Sequence, residues 1–357
     1  MTKDGNFKKV VRRHAQETGQ RYTEALTDLQ GLTDRIYHEP DGDRLLVHLR
    51  DHYGIDAVAA TKVSVHKTYV FRIDRNDGVP WIARAFPPAR SRADVEGDAA
   101  ILRFLEQHDY PAERLAAEDA VSECDGSAVL VTEYVESTRL PDETGFAIMG
   151  DLLGRLHALP FDESVSRPGG ASGEDPRRMG TPRQDLLAGL AFLDAVDTKV
   201  AAADRARFEQ LLDQVRSADD GDGLPEGLVH GNLLHAPDHA TMGKNGPLAI
   251  NWKASGRGPR LSDLAYLLWG TGNWAPTRST DVERVEAVVS AYRKHVELTD
   301  EELDRLEGVM YIRPLYLVCF GYRRDLTNGV PFDEWWFLEP AEYFTTTAAA
   351  TRRAFGR

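Results

Sequence analysis

Leu228-Val-His-Gly-Asn-Leu-Leu-His-Ala-Pro-Asp238, then Leu248-Ala-Ile-Asn-Trp252, then Gly256-Arg-Gly-Pro-Arg-Leu-Ser-Asp-Leu-Ala265 is the stretch that decides the reading of this chain. Its apolar runs are short and each leads into polar residues. We expect one short strand beginning at Val229 and a second over residues 247–251, joined across a Gly243-Lys-Asn-Gly246 turn. A helix follows at about 262–270, with Ser262 and Asp263 at its start as capping groups. Asn232 and Asn251 stand 19 residues apart, each at the end of an apolar run. Such a strand, loop, hairpin and helix presents loop side chains at one place, where chemistry is commonly carried.

The bulk of the chain sets the background. It has 357 residues, 42% hydrophobic and 28% charged, which suits two domains or one large two-lobed protein and excludes general disorder. The net charge of −14 disfavours nucleic acid and anionic membrane as partners. Cys124 and Cys319 lie far apart and match neither a disulfide framework nor a metal-ligand spacing, so a reducing cytoplasm is the expected compartment. Residues 1–16 are polar and basic without an apolar core, unlike a secretory signal, and no run approaches a membrane span.

Residues 6–34 read as helix, with Lys8, Lys9, Arg12 and Arg13 forming a basic turn that is a solvated face or a contact with an acidic partner. A short helix over 45–53 precedes strand-like residues 57–86, whose Asn76-Asp-Gly78 turn marks a hairpin with Trp81-Ile-Ala-Arg-Ala-Phe86 as the return strand. Residues 94–108 form an amphipathic helix with Ile101, Leu102 and Leu105 inward, and 128–135 another strand. From there the pattern is mainly helical, at 146–159, in two helices over 184–217, and at about 281–296 and 300–322. Residues 162–183 read as a loop, and Trp335, Trp336 and Phe337 as packing residues.

The motifs resemble those of the aminoglycoside phosphotransferases and choline-kinase-like proteins, a protein-kinase-like superfamily, from about Ala57 to Leu268. His230-Gly-Asn232 is similar to its H-G-D, Ile250-Asn-Trp252 to its I-D-W, residues 256–265 to its following D-P-x-x-D-L-A segment, and Gly154-Arg-Leu-His-Ala-Leu159 to its L-A-x-L-H helix. The resemblance implies an α/β (α+β) bilobal fold. A helical extension would cover 1–50, a small β-rich lobe 51–135, and a large helical lobe with the catalytic loop 136–357. It implies ATP (or GTP) and Mg²⁺ as cofactors, and transfer of a phosphoryl group to the hydroxyl of a small molecule or precursor peptide. Arg84 would grip the nucleotide phosphates. Glu96, or Asp98, would be its partner acid, and Glu133 and Val135 would meet the base through backbone. Asn232, with His230 and Asp263, would occupy the catalytic positions, and Asp238 and Asn251 the metal positions.

Two departures question the activity. Asn232 replaces the catalytic aspartate, and an amide cannot accept a hydroxyl proton at neutral pH. Asn251 replaces the metal aspartate and offers a neutral oxygen in its place. At the usual spacing the metal asparagine becomes Pro237; with one inserted residue Asp238 takes that place. Residues 62–68, at the phosphate-covering loop, contain no glycine, leaving Ser64 and Lys67 as substitutes. A kinase working with Asp238 on the metal and Asp263 or another carboxylate as base, a non-catalytic module that binds nucleotide, peptide or a partner enzyme through residues 1–34, and an inactivated kinase all fit these residues.

Overall fold

The computed structural model describes residues 41–64, 69–86, 90–160, 181–233, 239–272, 278–329, 332, 334–338 and 340–357. The helical reading of residues 6–34, most of the expected 162–183 loop, Lys67, His235, Pro237 and Asp238 lie outside these described residues. The chain divides into two compact units, one made of residues up to Ala99 with Arg114–Tyr134, the other of Ala100–Glu113 with Val135–Arg357.

The first unit is a helix and a five-stranded antiparallel sheet. Helix α1 (Gly42–Tyr53) starts where the Asp41 side chain accepts the Asp43 N–H and stops at Gly54, whose φ of 65° the left-handed region supplies without steric cost. It runs straight through the expected boundary at residue 50, because Leu45, Leu46 and Leu49 form one buried face. The strands β1 (Ala57–Ser64), β2 (Tyr69–Arg75), β3 (Trp81–Ala85), β4 (Val121–Cys124) and β5 (Ser127–Glu133) take the order β1-β2-β3-β5-β4. Alternation carries the core: Phe71 and Ile73 of β2 and Trp81, Ala83 and Ala85 of β3 are buried, with polar neighbours more exposed. Strand β4 is an addition to the expected pattern. Asp125 and Gly126 between β4 and β5 have φ of 51° and 74°, a tight Asp-Gly hairpin turn. Helix α2 (Arg92–Gln107) begins in this unit and buries Val95 and Ala99.

In the second unit α2 ends, burying Ile101, Leu102 and Leu105 as expected. Strand β6 (Ser137–Thr138), helices α3 (Gly145–His157), α4 (Pro182–Asp194) and α5 (Arg205–Ser217) and strands β7 (Glu226–Val229), β8 (Ala240–Gly243), β9 (Gly246–Ala249) and β10 (Gly256–Pro259) follow. Helices α6 (Arg260–Trp269), α7 (Val282–Tyr292), α8 (Asp300–Asn328) and α9 (Glu342–Ala354) complete it. Val229 closes β7 rather than opening a strand, because β7 pairs residue by residue with β10 and releases the chain into the loop at His230. Capping boxes start α4 (Thr181 with Gln184) and α8 (Thr299 with Glu302). Helix α8 outruns its expected end and stops at Gly329 in the left-handed region. Trp335 packs edge-on against Tyr322 and Phe332.

Helices α3 and α7 meet through bare backbone. A Cβ added at Gly150 would lie 2.3 Å from the Val288 carbonyl oxygen, and one at Gly154 would lie 2.7 Å from that of Tyr292. The spacing of four residues puts both glycines on one face of α3, so α7 approaches more closely than side chains allow. This contact sets the height of His157 at the end of α3.

Candidate functional site

In the second unit the loop after β7 is held by one carboxylate. Asp263, in the first turn of α6 and 1% exposed, accepts the His230 N–H at 2.6 Å through Oδ2 and the Gly231 N–H at 2.9 Å through Oδ1. Both oxygens are thereby committed to backbone, so Asp263 is the anchor of the loop rather than a reacting group. Gly231 has a φ of 76°, and a Cβ there would lie 2.3 Å from the Ala254 carbonyl oxygen. Only glycine satisfies both conditions without displacing backbone.

His230 is fully buried. Its Nε2 donates to the Ile250 carbonyl at 3.0 Å, tying the loop to the chain just before Asn251, and its ring lies against Trp252. Burial pushes its pKa below the ordinary imidazole value, so the ring is neutral and structural. Of the three residues expected at catalytic positions, His230 and Asp263 hold the loop, and Asn232 follows them in sequence.

Asn232 is half-buried, and its amide donates to Nε2 of His239 at 3.0 Å. His239 is itself buried. Asn251 has a φ of 71°, a left-handed conformation that asparagine tolerates better than most residues. Its N–H donates to Oε1 of Glu113 at 2.8 Å. Glu113 is 4% exposed and was not anticipated from the sequence, where it lies 138 residues from its partner. Asp238, the other expected metal ligand, is outside the described residues. Among the described residues no group of three or more His, Cys, Asp or Glu side chains is arranged to hold a metal ion. The donor set present, a neutral amide at 251, does not by itself fit a divalent cation.

Behind the anchor stands a second pair. His157 Nε2 lies 3.5 Å from Asp263 Oδ2 without a hydrogen bond between them, and its Nδ1 lies 2.9 Å from the Tyr292 hydroxyl. Both His157 and Tyr292 are buried, and burial pushes the Tyr292 phenol well up, so it stays protonated. The sequence marked His157 only as part of a motif, and Tyr292 not at all.

In the first unit Arg84 projects from β3, half-buried, with Nη1 donating to Thr132 Oγ1 on β5 at 3.0 Å. Glu96 sits on the exposed face of α2 and pairs with Arg92 at 2.8 Å. The buried acid of that helix is Asp98, which pairs with Arg90 at 2.5 Å. Of the two acids expected beside Arg84, the one placed inside is therefore Asp98. The exposed Glu133 ends β5, its N–H donating to the Arg114 carbonyl at 2.9 Å. Val135 belongs to the second unit and is half-buried.

Residues 64–302 match the phosphotransferase enzyme family. No curated protein matches the sequence significantly. Among solved structures, an amicoumacin kinase in complex with AMP-PNP, Ca²⁺ and its ligand is 16% identical with a TM-score of 0.57, covering 85% of this chain and 93% of that one. A Plasmodium vivax ethanolamine kinase is 12% identical with a TM-score of 0.56, covering 95% of each chain. A spectinomycin phosphotransferase in complex with ADP and spectinomycin is 13% identical with a TM-score of 0.55, covering 88% of this chain and 95% of that one. At these identities the likeness is one of fold. With the family matched over two thirds of its length, and with the anchored loop at 230–232 in place, the chain belongs to the phosphotransferase enzyme family.

Proposed function

We propose that this protein is a phosphotransferase frame directed at the hydroxyl of a small molecule or a peptide, with ATP or GTP as donor, in which Asn232 and Asn251 slow the transfer step. The observation that carries this reading is the pair of backbone N–H groups held by Asp263. That arrangement fixes the conformation from which residue 232 would face an acceptor. Phosphoryl transfer depends mainly on positioning and charge. In this reading Arg84 grips the nucleotide phosphates, since its guanidinium offers a planar fork of donors. Glu133 and Val135 meet the base through their backbone. Asn232 orients the acceptor oxygen for attack on the γ-phosphorus but cannot take its proton, a loss of about 10²–10⁴-fold in rate. Asp238 and Asn251 would be the residues to offer oxygen to a divalent cation, which would neutralise charge on the phosphates.

A second reading is a module that binds nucleotide, peptide or a partner enzyme and transfers nothing. It is favoured by the Asn232–His239 hydrogen bond, which satisfies position 232 within the chain. Calorimetry with ATP·Mg²⁺ and ATP turnover, on this chain and on an Asn232→Asp, Asn251→Asp variant, decide between the two. Metal-dependent binding by both, with fast turnover in the variant and slow turnover in the parent, is the expected result. Binding by both with turnover in neither establishes the module. No binding in either overturns the nucleotide reading altogether.

A further inference from the structure

We propose that Thr132 is the positioning residue of Arg84, a role that rests on the reading above of Arg84 as the cation that grips nucleotide phosphates. The observation that carries it is the hydrogen bond from Arg84 Nη1 to Thr132 Oγ1, 3.0 Å long. Both residues belong to the first unit, on the neighbouring strands β3 and β5.

The sheet dictates the meeting. Arg84 stands opposite Leu130 and Ile82 opposite Thr132. Thr132 is two residues beyond Leu130, so it shares the face of Arg84 and stands diagonal to it, a separation of roughly 7–8 Å that a long side chain spans. Thr132 is the more firmly fixed of the two. Its strand runs between β3 and β4, it bridges Leu115 on the side away from β3, and it is fully buried. A β-branched side chain has few χ1 choices, so its hydroxyl is an acceptor at a set place. Arg84 is half-buried and carries a long, rotamer-rich side chain. A ligand that met this side chain unanchored would first have to immobilise it. With one arm on Thr132 the planar fork is oriented, and its remaining N–H groups keep a set direction. The acid of α2 is engaged elsewhere. Oδ2 of the buried Asp98 accepts from Arg90 Nη2 at 2.5 Å, and the Arg90 guanidinium lies over the Phe86 ring, 4.3 Å from its centroid. Arg90 is thus held by a carboxylate and Arg84 by a hydroxyl. A hydroxyl orients a guanidinium without adding a compensating negative charge, which suits a group that has to meet anionic phosphates.

The test is a double-mutant cycle, read by calorimetry with ATP·Mg²⁺, ADP and adenosine. Thr132→Val keeps the shape and loses the acceptor, whereas Thr132→Ser keeps the acceptor. Thr132→Val is expected to weaken ATP and ADP binding about fivefold and to leave adenosine binding unchanged, and Thr132→Ser to keep ATP affinity within about twofold of the parent. In the Arg84→Ala background Thr132→Val is expected to change nothing further, because its effect passes through the guanidinium. Equal losses for ATP and adenosine, or a full loss in the Arg84→Ala background, assign Thr132 to packing or to the base and overturn the proposal. A second readout needs no ligand. The NMR order parameter of the Arg84 Nε–H bond is expected to fall below about 0.6 in Thr132→Val and to keep its parent value in Thr132→Ser. An order parameter unchanged in Thr132→Val overturns the proposal as well. If Thr132→Val does not fold, Thr132→Ala carries both measurements. Failure of the parent chain to bind ATP counts against the nucleotide reading, whereas the order parameter judges the positioning role by itself.

Discussion

The loop backbone at 230–231 and the side chains at 232 and 251 lie within one small region, yet the fold holds them in different ways. The backbone is fixed by a glycine in the left-handed region, a carboxylate taking two N–H groups, and a histidine bonded to the carbonyl before Asn251. The side chains keep the size of the expected aspartates and lose their charge. Shape and charge are thus separable here. Shape is enforced by folding, because a displaced Gly231 leaves buried polar groups without partners. The fold forms with neutral amides at 232 and 251.

Restoring that charge one position at a time gives the largest expected effect. Asn232→Asp should raise ATP turnover about 10²–10⁴-fold, the usual contribution of a positioned base. Asn251→Asp should act on metal instead, tightening the divalent-cation dependence with a smaller change at saturating metal. Steady-state turnover against metal concentration in each single variant separates the two. A parent chain as fast as Asn232→Asp would break the contrast between intact shape and missing charge.

Gly231→Ala attacks the shape side. Its Cβ would meet the Ala254 carbonyl and its φ would stay positive, so it should destabilise the fold by about 3 kcal/mol, measured by urea unfolding. Arg84→Ala should weaken ATP binding about tenfold, the loss of one charge-assisted contact, and leave the unfolding midpoint nearly unmoved. The two variants together predict opposite signatures, stability without affinity at 231 and affinity without stability at 84.

The frame was legible in the sequence where its members are neighbours. His230, Gly231 and Asp263 sit in short motifs, and the alternation of β2 and β3 follows from residues two apart. What escaped is what long-range contact supplies. Glu113 and Asn251 are 138 residues apart and His157 and Tyr292 135, and no local period connects either pair. His239 lies only seven residues from Asn232, but no local period in the sequence connects the two. Strand β4 has four residues, too few to show a period, although its Asp125-Gly126 turn was a readable signal. Glu96 and Asp98 differ by two positions on one helix, and burial, which sequence cannot assign at that resolution, decides which is inside.

The smallest expected effect concerns the approach to the loop. Asp219 receives two bonds from Arg305, at 2.8 and 2.5 Å, and the Gly221 N–H at 2.9 Å, so the turn leading to β7 is pinned to α8. The Arg305 guanidinium holds the Asp219 carboxyl below its usual range. A carboxyl with a depressed folded pKa contributes stability that is present above its unfolded value, about 3.9, and is lost as pH falls toward the folded value. Both side chains are a little over one fifth exposed, so solvent screening limits the pair to about 1 kcal/mol. Asp219→Asn should therefore lower stability at pH 7 by that amount and flatten the acid limb of the stability curve below pH 4. Denaturant midpoints taken from pH 7 to 3 would show it. An equal acid limb in parent and variant would mean that the turn is held by α8 packing alone, and that charge does as little for the frame as the amides at 232 and 251 suggest.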